Sequence, residues 1–380
     1  MTDWAVLTGE YPPQPGGVSD YARLVARGLA AAGDRVRVYA PAPTGETVEA
    51  GVEVHRLPGR FGPRALLQLE QMLFARQRPD RILVQYVPNA YGWKAMNIAF
   101  ATWLATRVPR AIPVWVMFHE VVTPFVWRPM QHTALAVVTR AMARLIAGAA
   151  DRVFVSIPAW GDLLRRICPR VRSPEWLPVP CTLEDEVATG AESAAALRTQ
   201  YAADGRQLVG HFGTYGRHIA TQLAATLEVL LQHDPNVSAL LTGRGSAEFA
   251  NQFVTLRPEL TGRAIGVGPL AGASVVAHLK ACDLLVQPFQ DGISTRRTSA
   301  MVGLACGMPI ATNLGALSEP VWSGAVAAVP DPDPAALARL SASLLADPVE
   351  RAILAARSAA LYRDRFALRH TVAYLRESRP

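Results

Sequence analysis

Strand-sized apolar runs alternate with helix-sized amphipathic stretches along the whole chain, and the alternation begins afresh near its middle. That pattern restricts the chain to parallel sheets covered by helices. Trp4-Ala-Val-Leu-Thr8 reads as a buried strand and runs into a turn rich in Gly and Pro, Tyr11-Pro-Pro-Gln-Pro-Gly-Gly-Val18. Residues 19–32 then place Tyr21, Leu24, Val25 and Leu29 on one helical face, with Ser19 positioned as N-cap and Gly33 as the stop. Strands follow at 35–40, 52–57, 81–86, 114–118 and 152–155, with helical stretches between them. The stretch 174–192, with three prolines and an acidic run, reads as a linker. A second series places strands at 208–212, 238–242, 284–288 and 309–312, and the chain from Pro334 onward is Ala-, Leu- and Arg-rich and reads as helix.

With 380 residues, half of them apolar and 18% charged, two doubly wound domains facing a crevice are the simplest assembly. No run of about 18 uncharged apolar residues occurs, so no spanning helix is expected. The N-terminus lacks a basic region followed by an apolar run, so a cytoplasmic location is expected. Cys168, Cys181, Cys282 and Cys306 are scattered, which argues against a disulfide framework and against zinc, and no metal site is expected.

Charge divides unevenly. Residues 1–180 carry 21 Lys+Arg against 13 Asp+Glu, whereas 181–380 carry 17 against 18. Only Lys94 and Lys280 among the 38 basic residues are lysines, so the positive balance reflects a bias toward Arg and implies no nucleic-acid partner. The basic first half suits an anionic acceptor or an anionic membrane surface; a solvated basic face is the alternative. The stretch Tyr91-Gly-Trp-Lys-Ala-Met-Asn-Ile-Ala-Phe-Ala-Thr-Trp-Leu104, near Arg107 and Arg110, has the residue mix of a helix lying peripherally on a membrane, or equally of a core helix.

Ligands of open parallel sheets bind at the carboxyl ends of strands. In the first half, Gly16-Gly17 lies between the first strand and its helix, where backbone N–H groups can approach an anion. His119-Glu120 ends the 114–118 strand and suits contact with a hydroxyl or proton transfer, and Gln85-Tyr86-Val87-Pro88 ends another. In the second half, Phe289-Gln-Asp-Gly-Ile-Ser-Thr-Arg-Arg-Thr-Ser299 follows a strand and precedes an apolar helix. Its hydroxyls, its guanidinium groups and the helix start together suit a phosphate.

These motifs, in this order, resemble the family-4 group of retaining GT-B glycosyltransferases over roughly residues 1–350. The opening Pro12-Pro-Gln-Pro-Gly-Gly-Val-Ser-Asp-Tyr21 and Gly33-Asp-Arg-Val-Arg-Val38 match its first motifs. Phe118-His119-Glu120 matches its strand ending in histidine, and His211-Phe-Gly-Thr-Tyr-Gly-Arg217 its second-domain phosphate turn. Gly243-Arg-Gly245, 266–270, Ala281-Cys-Asp-Leu-Leu285, Cys306-Gly-Met-Pro-Ile310 and the Gly315/Glu319 spacing match later ones. The chain departs from the family in its donor loop, where two glutamates seven residues apart are usual. Asp291 stands for the first and Ser299 has the spacing of the second; counted back from Cys306-Gly307, Val302 takes that place. The loop reads as a D-G-I-S-x-R-R variant. Arg217 is present, but no Lys follows it in that turn, and Arg296 or Arg297 supplies the charge instead.

The resemblance implies an α/β, GT-B fold of two Rossmann-like domains facing an interdomain cleft. They span 1–180 and 181–355, with 356–380 returning to the first. It implies transfer of a sugar from a nucleotide-diphosphate donor with retention and without a metal or other cofactor, the acceptor being a glycan, a lipid-linked sugar or a small molecule. His119, Asp291 and Arg217 take the catalytic roles. Donor contacts fall to Gly16 and Gly17 in the first domain, and to Gly213, Thr214, Gly243, Arg244, Pro269 and Leu270 in the second. Gly292, Ile293, Ser294, Arg297, Thr298 and Ser299 of the variant loop, and Glu319 beyond it, complete the implied set. A non-catalytic homologue that binds a nucleotide sugar or a partner subunit, and a sugar-nucleotide epimerase, are the alternatives.

Overall fold

The structure, a computed structural model, describes residues 1–41, 46–76, 78–92, 96–125, 130–190 and 193–377. It divides into two compact units, Met1–Thr182 with Leu368–Pro380, and Leu183–Ala367.

The first unit is built on eight strands: β1 (Asp3–Thr8), β2 (Arg35–Pro41), β3 (Glu46–Glu49), β4 (Val52–Leu57), β5 (Arg81–Tyr86), β6 (Val114–Phe118), β7 (Arg152–Val155) and β8 (Glu175–Trp176). Their order in the sheet is β3-β4-β2-β1-β5-β6-β7-β8. All neighbours are parallel except β3 and β4. Strands β1, β5 and β6 are buried along nearly their whole length because helices cover both faces, which is why they read as continuous apolar runs. The antiparallel β3 and the two-residue β8 are short edges that carry no such run. With β8 paired to β7, the stretch read as a linker begins inside the sheet.

Helix Gly17–Ala31 starts two residues before Ser19, with Gly16 as its N-cap. Ser19 is therefore not the cap: it lies buried in the first turn and its hydroxyl donates to the Gln14 carbonyl at 2.6 Å. Helix Ile98–Arg107 buries Phe100, Ala101, Trp103 and Leu104. Its apolar face thus belongs to the core rather than to a membrane surface, while Met96 and Ile98 are exposed. Trp93 and Lys94 of the same stretch lie outside the described residues. Among the described residues no helix is long and apolar enough to cross a membrane.

The second unit contains β9 (Gln207–Phe212), β10 (Val237–Thr242), β11 (Ala264–Gly266), β12 (Leu284–Gln287), β13 (Ile310–Asn313) and β14 (Ala327–Val329). They form one parallel sheet in the order β11-β10-β9-β12-β13-β14. The helical C-terminal stretch breaks where Asp precedes Pro. Asp333 caps helix Pro334–Ala346, and Asp347 caps helix Pro348–Leu361 by accepting from the Val349 and Glu350 amides at 3.0 and 2.9 Å.

The segment 356–380, expected to return as one piece, divides. Residues up to Ala367 stay with the second unit, and only helix Leu368–Glu377 joins the first. Val372 and Leu375 enter the core beside Trp4, Tyr21 and Leu29. Arg376 donates to Asp34 at 3.1 Å, and Asp34 also accepts from the Trp4 indole at 3.2 Å and the Thr2 amide at 3.0 Å. The charge on the buried Asp34 side chain is thereby compensated. Leu375 is almost wholly enclosed. Leu375→Ala is expected to cost the first unit about 2–4 kcal/mol, read as a lower denaturant midpoint and as earlier proteolytic release of the C-terminal helix.

Candidate functional site

In each sheet the strand order reverses at one place, between β1 and β5 in the first unit and between β9 and β12 in the second. Loops leaving the two central strands part there, and helix N-termini line the gap.

In the second unit, β9 leads through 213–216 into helix Arg217–His233, and β12 leads through 288–297 into helix Thr298–Ala305. The two meet across the reversal: a Cβ built on Gly213 would lie 4.0 Å from the Ser299 hydroxyl and 3.6 Å from His211 Nε2. The Gly243 amide donates to Gly268 O at 3.0 Å, and the Gly213 amide to Thr242 O at 3.3 Å. Gly243 has φ +109, and a Cβ there would sit 2.1 Å from Gly213 O, so only glycine allows this approach. Gly213, Gly243, Gly268 and Ser299 are thus gathered on one edge. Thr214, Arg217, Arg244 and Pro269 stand exposed along it, and Leu270 is half-buried.

The 291–299 loop is fixed from below. Asn313 accepts from the Phe289 amide at 2.8 Å and donates to Phe289 O at 2.7 Å, and the Ile293 amide donates to Asn313 O at 3.0 Å. Gly292 has φ +84 and packs backbone to backbone on Gly315, where a Cβ would come within 2.3 Å of the Gly315 nitrogen. Glu319, expected among the ligand contacts, is instead a brace. Its buried carboxylate accepts from the Thr295 amide at 3.1 Å, the Thr295 hydroxyl and the Trp322 indole at 2.8 Å. Ile293 and Ser294 are also fully enclosed, so they shape the loop rather than its outer face. Asp291 does not present an uncommitted carboxylate, because it accepts from both Arg296 and Arg297. It holds the two guanidiniums side by side, with Arg297 also over the Phe289 ring at 5.0 Å. Thr298 and Ser299, both half-buried, form the first turn of the helix that follows.

His211, one residue from the end of β9, was not singled out from the sequence. Its Nδ1–H donates to Val286 O at 2.9 Å, and burial holds its pKa down at about 4. Its Nε2, the side-chain Oε1 of Gln287 and the Ser294 hydroxyl are buried with no hydrogen-bond partner.

In the first unit the structure joins two of the sequence candidates. His119 Nε2 lies 2.9 Å from Gln85 Oε1, and the ring meets Tyr21 edge-on at 4.6 Å. Burial pushes the His119 pKa down to about 3, so the ring is neutral and Nε2–H donates to Gln85. Gly16 is the N-cap of helix Gly17–Ala31 with no side chain capping it, and a carboxylate stands close by: a Cβ on Gly16 would meet Glu10 Oε2 at 2.6 Å. Beside it a cavity of about 210 Å³ is lined by Glu10, Gln14, Arg60 and Asn89. None of these four was legible as a site residue. Glu10 falls two residues past the end of β1, a weak signal, and Arg60 and Asn89 come from other loops.

Residues 16–182 match the family model described as a Glycosyl transferase 4-like domain, less than half of the chain. No curated protein matches the chain in sequence. Solved structures resemble it over nearly its whole length. Sucrose-phosphate synthase from Thermosynechococcus elongatus aligns with TM-score 0.74 and 18% identity, covering 99% of this chain and 98% of that one. Anabaena HepE in complex with UDP and glucose aligns with TM-score 0.70 and 17% identity over 99% of each chain. WaaG, a glycosyltransferase involved in lipopolysaccharide biosynthesis, aligns with TM-score 0.66 and 17% identity over 99% and 100%. The fold is the α/β GT-B fold of two Rossmann-like domains.

Two outcomes follow from the geometry. Glu319→Ala strands three donors and is expected to cost the second unit about 3 kcal/mol or more. It should also speed hydrogen exchange at the Thr295 amide, with Glu319→Gln milder on both counts. His119 binds a proton near pH 6.5 when unfolded and only near pH 3 when folded. Stability should therefore fall as pH drops through that window, and His119→Gln should remove part of the fall in a urea-denaturation series.

Proposed function

We propose that the chain is a glycosyltransferase that takes a nucleotide-diphosphate sugar on its second unit and transfers the sugar to an acceptor bound by the first, with retention of anomeric configuration and without a metal. The observation that carries this is the meeting of the Gly213 turn with Ser299 across the strand reversal, flanked by the starts of two helices and by Arg296 and Arg297. The Glycosyl transferase 4-like match over 16–182 and the UDP bound in Anabaena HepE support it from outside.

Transfer leaves negative charge on the departing diphosphate. Backbone N–H groups at 298–299 and the paired guanidiniums are fixed donors for that charge, and donors already oriented need not reorganise as it develops. Asp291 acts as a positioning residue that keeps both arginines in place. Neutral His119 is a hydrogen-bonding group for a sugar hydroxyl, not a proton carrier at neutral pH.

Calorimetric titration with a panel of nucleoside diphosphates should show one of them binding at micromolar to millimolar concentration, unchanged by excess chelator. Arg297→Ala should weaken that binding about ten-fold or more, as loss of a charged hydrogen bond implies. Arg64→Ala, at an exposed position of a first-unit helix, should leave it unaltered. Equal effects of the two substitutions, or silence across the panel, would overturn the donor assignment, and an inverted product anomer would overturn retention.

A further inference from the structure

We propose that the cavity at the carboxyl ends of β1 and β5 takes a neutral vicinal diol of a sugar or cyclitol ring and disfavours charged sugars of either sign. That this diol belongs to the acceptor of the transfer rests on the function proposed above.

Three loops build the cavity, and side chains hold their backbones in place. A Cβ on Gly9 would come within 2.6 Å of the Cβ and O of Ala90, so the bare Gly9 lets the loops after β1 and β5 touch. The Thr8 hydroxyl donates to Glu10 O at 2.7 Å, and the Ser19 hydroxyl donates to Gln14 O at 2.6 Å. In the third loop, Arg60 O accepts from the buried Asn97 at 3.0 Å. Glu10, Gln14, Arg60 and Asn89 are thereby gathered around about 210 Å³. That is less than the roughly 300–1,000 Å³ of a pocket for a drug-sized ligand and suits one small ring. Loops already ordered in this way lose little freedom when a ligand arrives.

Hydrogen-bonding capacity selects the ligand. The Glu10 carboxylate makes no hydrogen bond or ion pair with another described side chain. Gln14 Oε1 is buried with no hydrogen-bond partner. Both are acceptors, and each calls for an O–H or N–H from the ligand. The Arg60 guanidinium and the Asn89 amide offer donors in the same cavity. A hydroxyl both donates and accepts. Two adjacent hydroxyls can give their protons to Glu10 and Gln14 Oε1 while accepting from Arg60 and Asn89. An ionised phosphate or carboxylate brings acceptors alone and leaves Glu10 and Gln14 Oε1 without a donor. An ammonium brings donors alone and meets the Arg60 guanidinium. One carboxylate and one guanidinium line the cavity, so their charges balance and ligand charge of neither sign is favoured. The anionic acceptor suggested by the bulk charge of residues 1–180 is therefore not the one this cavity fits.

Glucose, glucosamine and glucose 6-phosphate share a ring and differ in charge, so ligand-observed NMR titration with the three reads the preference directly. Glucose should bind about ten-fold tighter than either charged sugar. Glu10→Gln and Arg60→Gln should each weaken glucose about ten-fold. The same Glu10→Gln should tighten glucose 6-phosphate, and the same Arg60→Gln should tighten glucosamine. Loss of one ligand and gain of another in a single variant cannot come from misfolding. A charged sugar bound as tightly as glucose, a glucose affinity indifferent to both substitutions, or no binding of any of the three would overturn the proposal. UDP is titrated into the same samples. If UDP binds and the three sugars do not, the cavity assignment fails and the transferase function stands. If glucose binds and UDP does not, the donor assignment fails and the cavity keeps its ligand class.

Discussion

Parallel pairing of β9 with β12 is the contact on which the second unit's chemistry depends. The two strands are far apart in sequence and adjacent in the sheet, registered Val209 to Leu284 and Gly210 to Leu285. Gly210 admits the Leu285 side chain, since a Cβ there would come within 2.7 Å of it. The pairing is sealed at its upper end by two side-chain bonds, His211 to Val286 O and Gln287 to Phe212 O at 3.2 Å. Because the chain leaves the two strands in opposite directions, helices 217–233 and 298–305 begin on either side of one gap. Unpartnered His211 Nε2, Gln287 Oε1 and Ser294 Oγ lie buried around the strand ends. A buried polar atom left unpaired costs about 1–3 kcal/mol. A protein that keeps three of them beside a strand reversal carries a region built for polar partners.

The two units use one architectural device with opposite charge. In the second, the helix beginning at Thr298 is preceded by Arg296 and Arg297, and Asp291 is spent on holding them. In the first, the helix beginning at Gly17 has Glu10 at its N-terminus. A helix N-terminus favours an anion in both cases. In one unit the surroundings reinforce that preference, and in the other a carboxylate stands beside the helix start without capping it. Fold alone therefore does not say where the phosphate goes; the residues on the strand ends do.

The buried strands were legible because both their faces are covered, so β1, β5, β6, β9 and β10 appear as plain apolar runs. The short edges β3, β8 and β14 lack that signature and were not read. The 291–299 loop was legible as a unit from its Ser, Thr and Arg content before an apolar helix. The part each residue plays was not. Glu319 lies more than twenty residues from Thr295 and braces it through a buried carboxylate, a relation that only the β12–β13 pairing creates. Asp291 looked like a sugar-binding acid because spacing cannot show that two neighbouring arginines engage it. The first-unit cavity draws Glu10, Arg60 and Asn89 from three separate loops, and no local pattern joins them.

The central claim is that a nucleoside diphosphate seats at the β9–β12 strand ends, and amide chemical shifts report it residue by residue. Titration of the isotopically labelled protein with UDP and with GDP should move the backbone amides of Gly213, Thr214, Thr298 and Ser299 together along one saturable curve for at least one of the two. Movement confined to residues 9–20 of the first unit, with the 213–217 and 291–299 amides unmoved, would contradict the account.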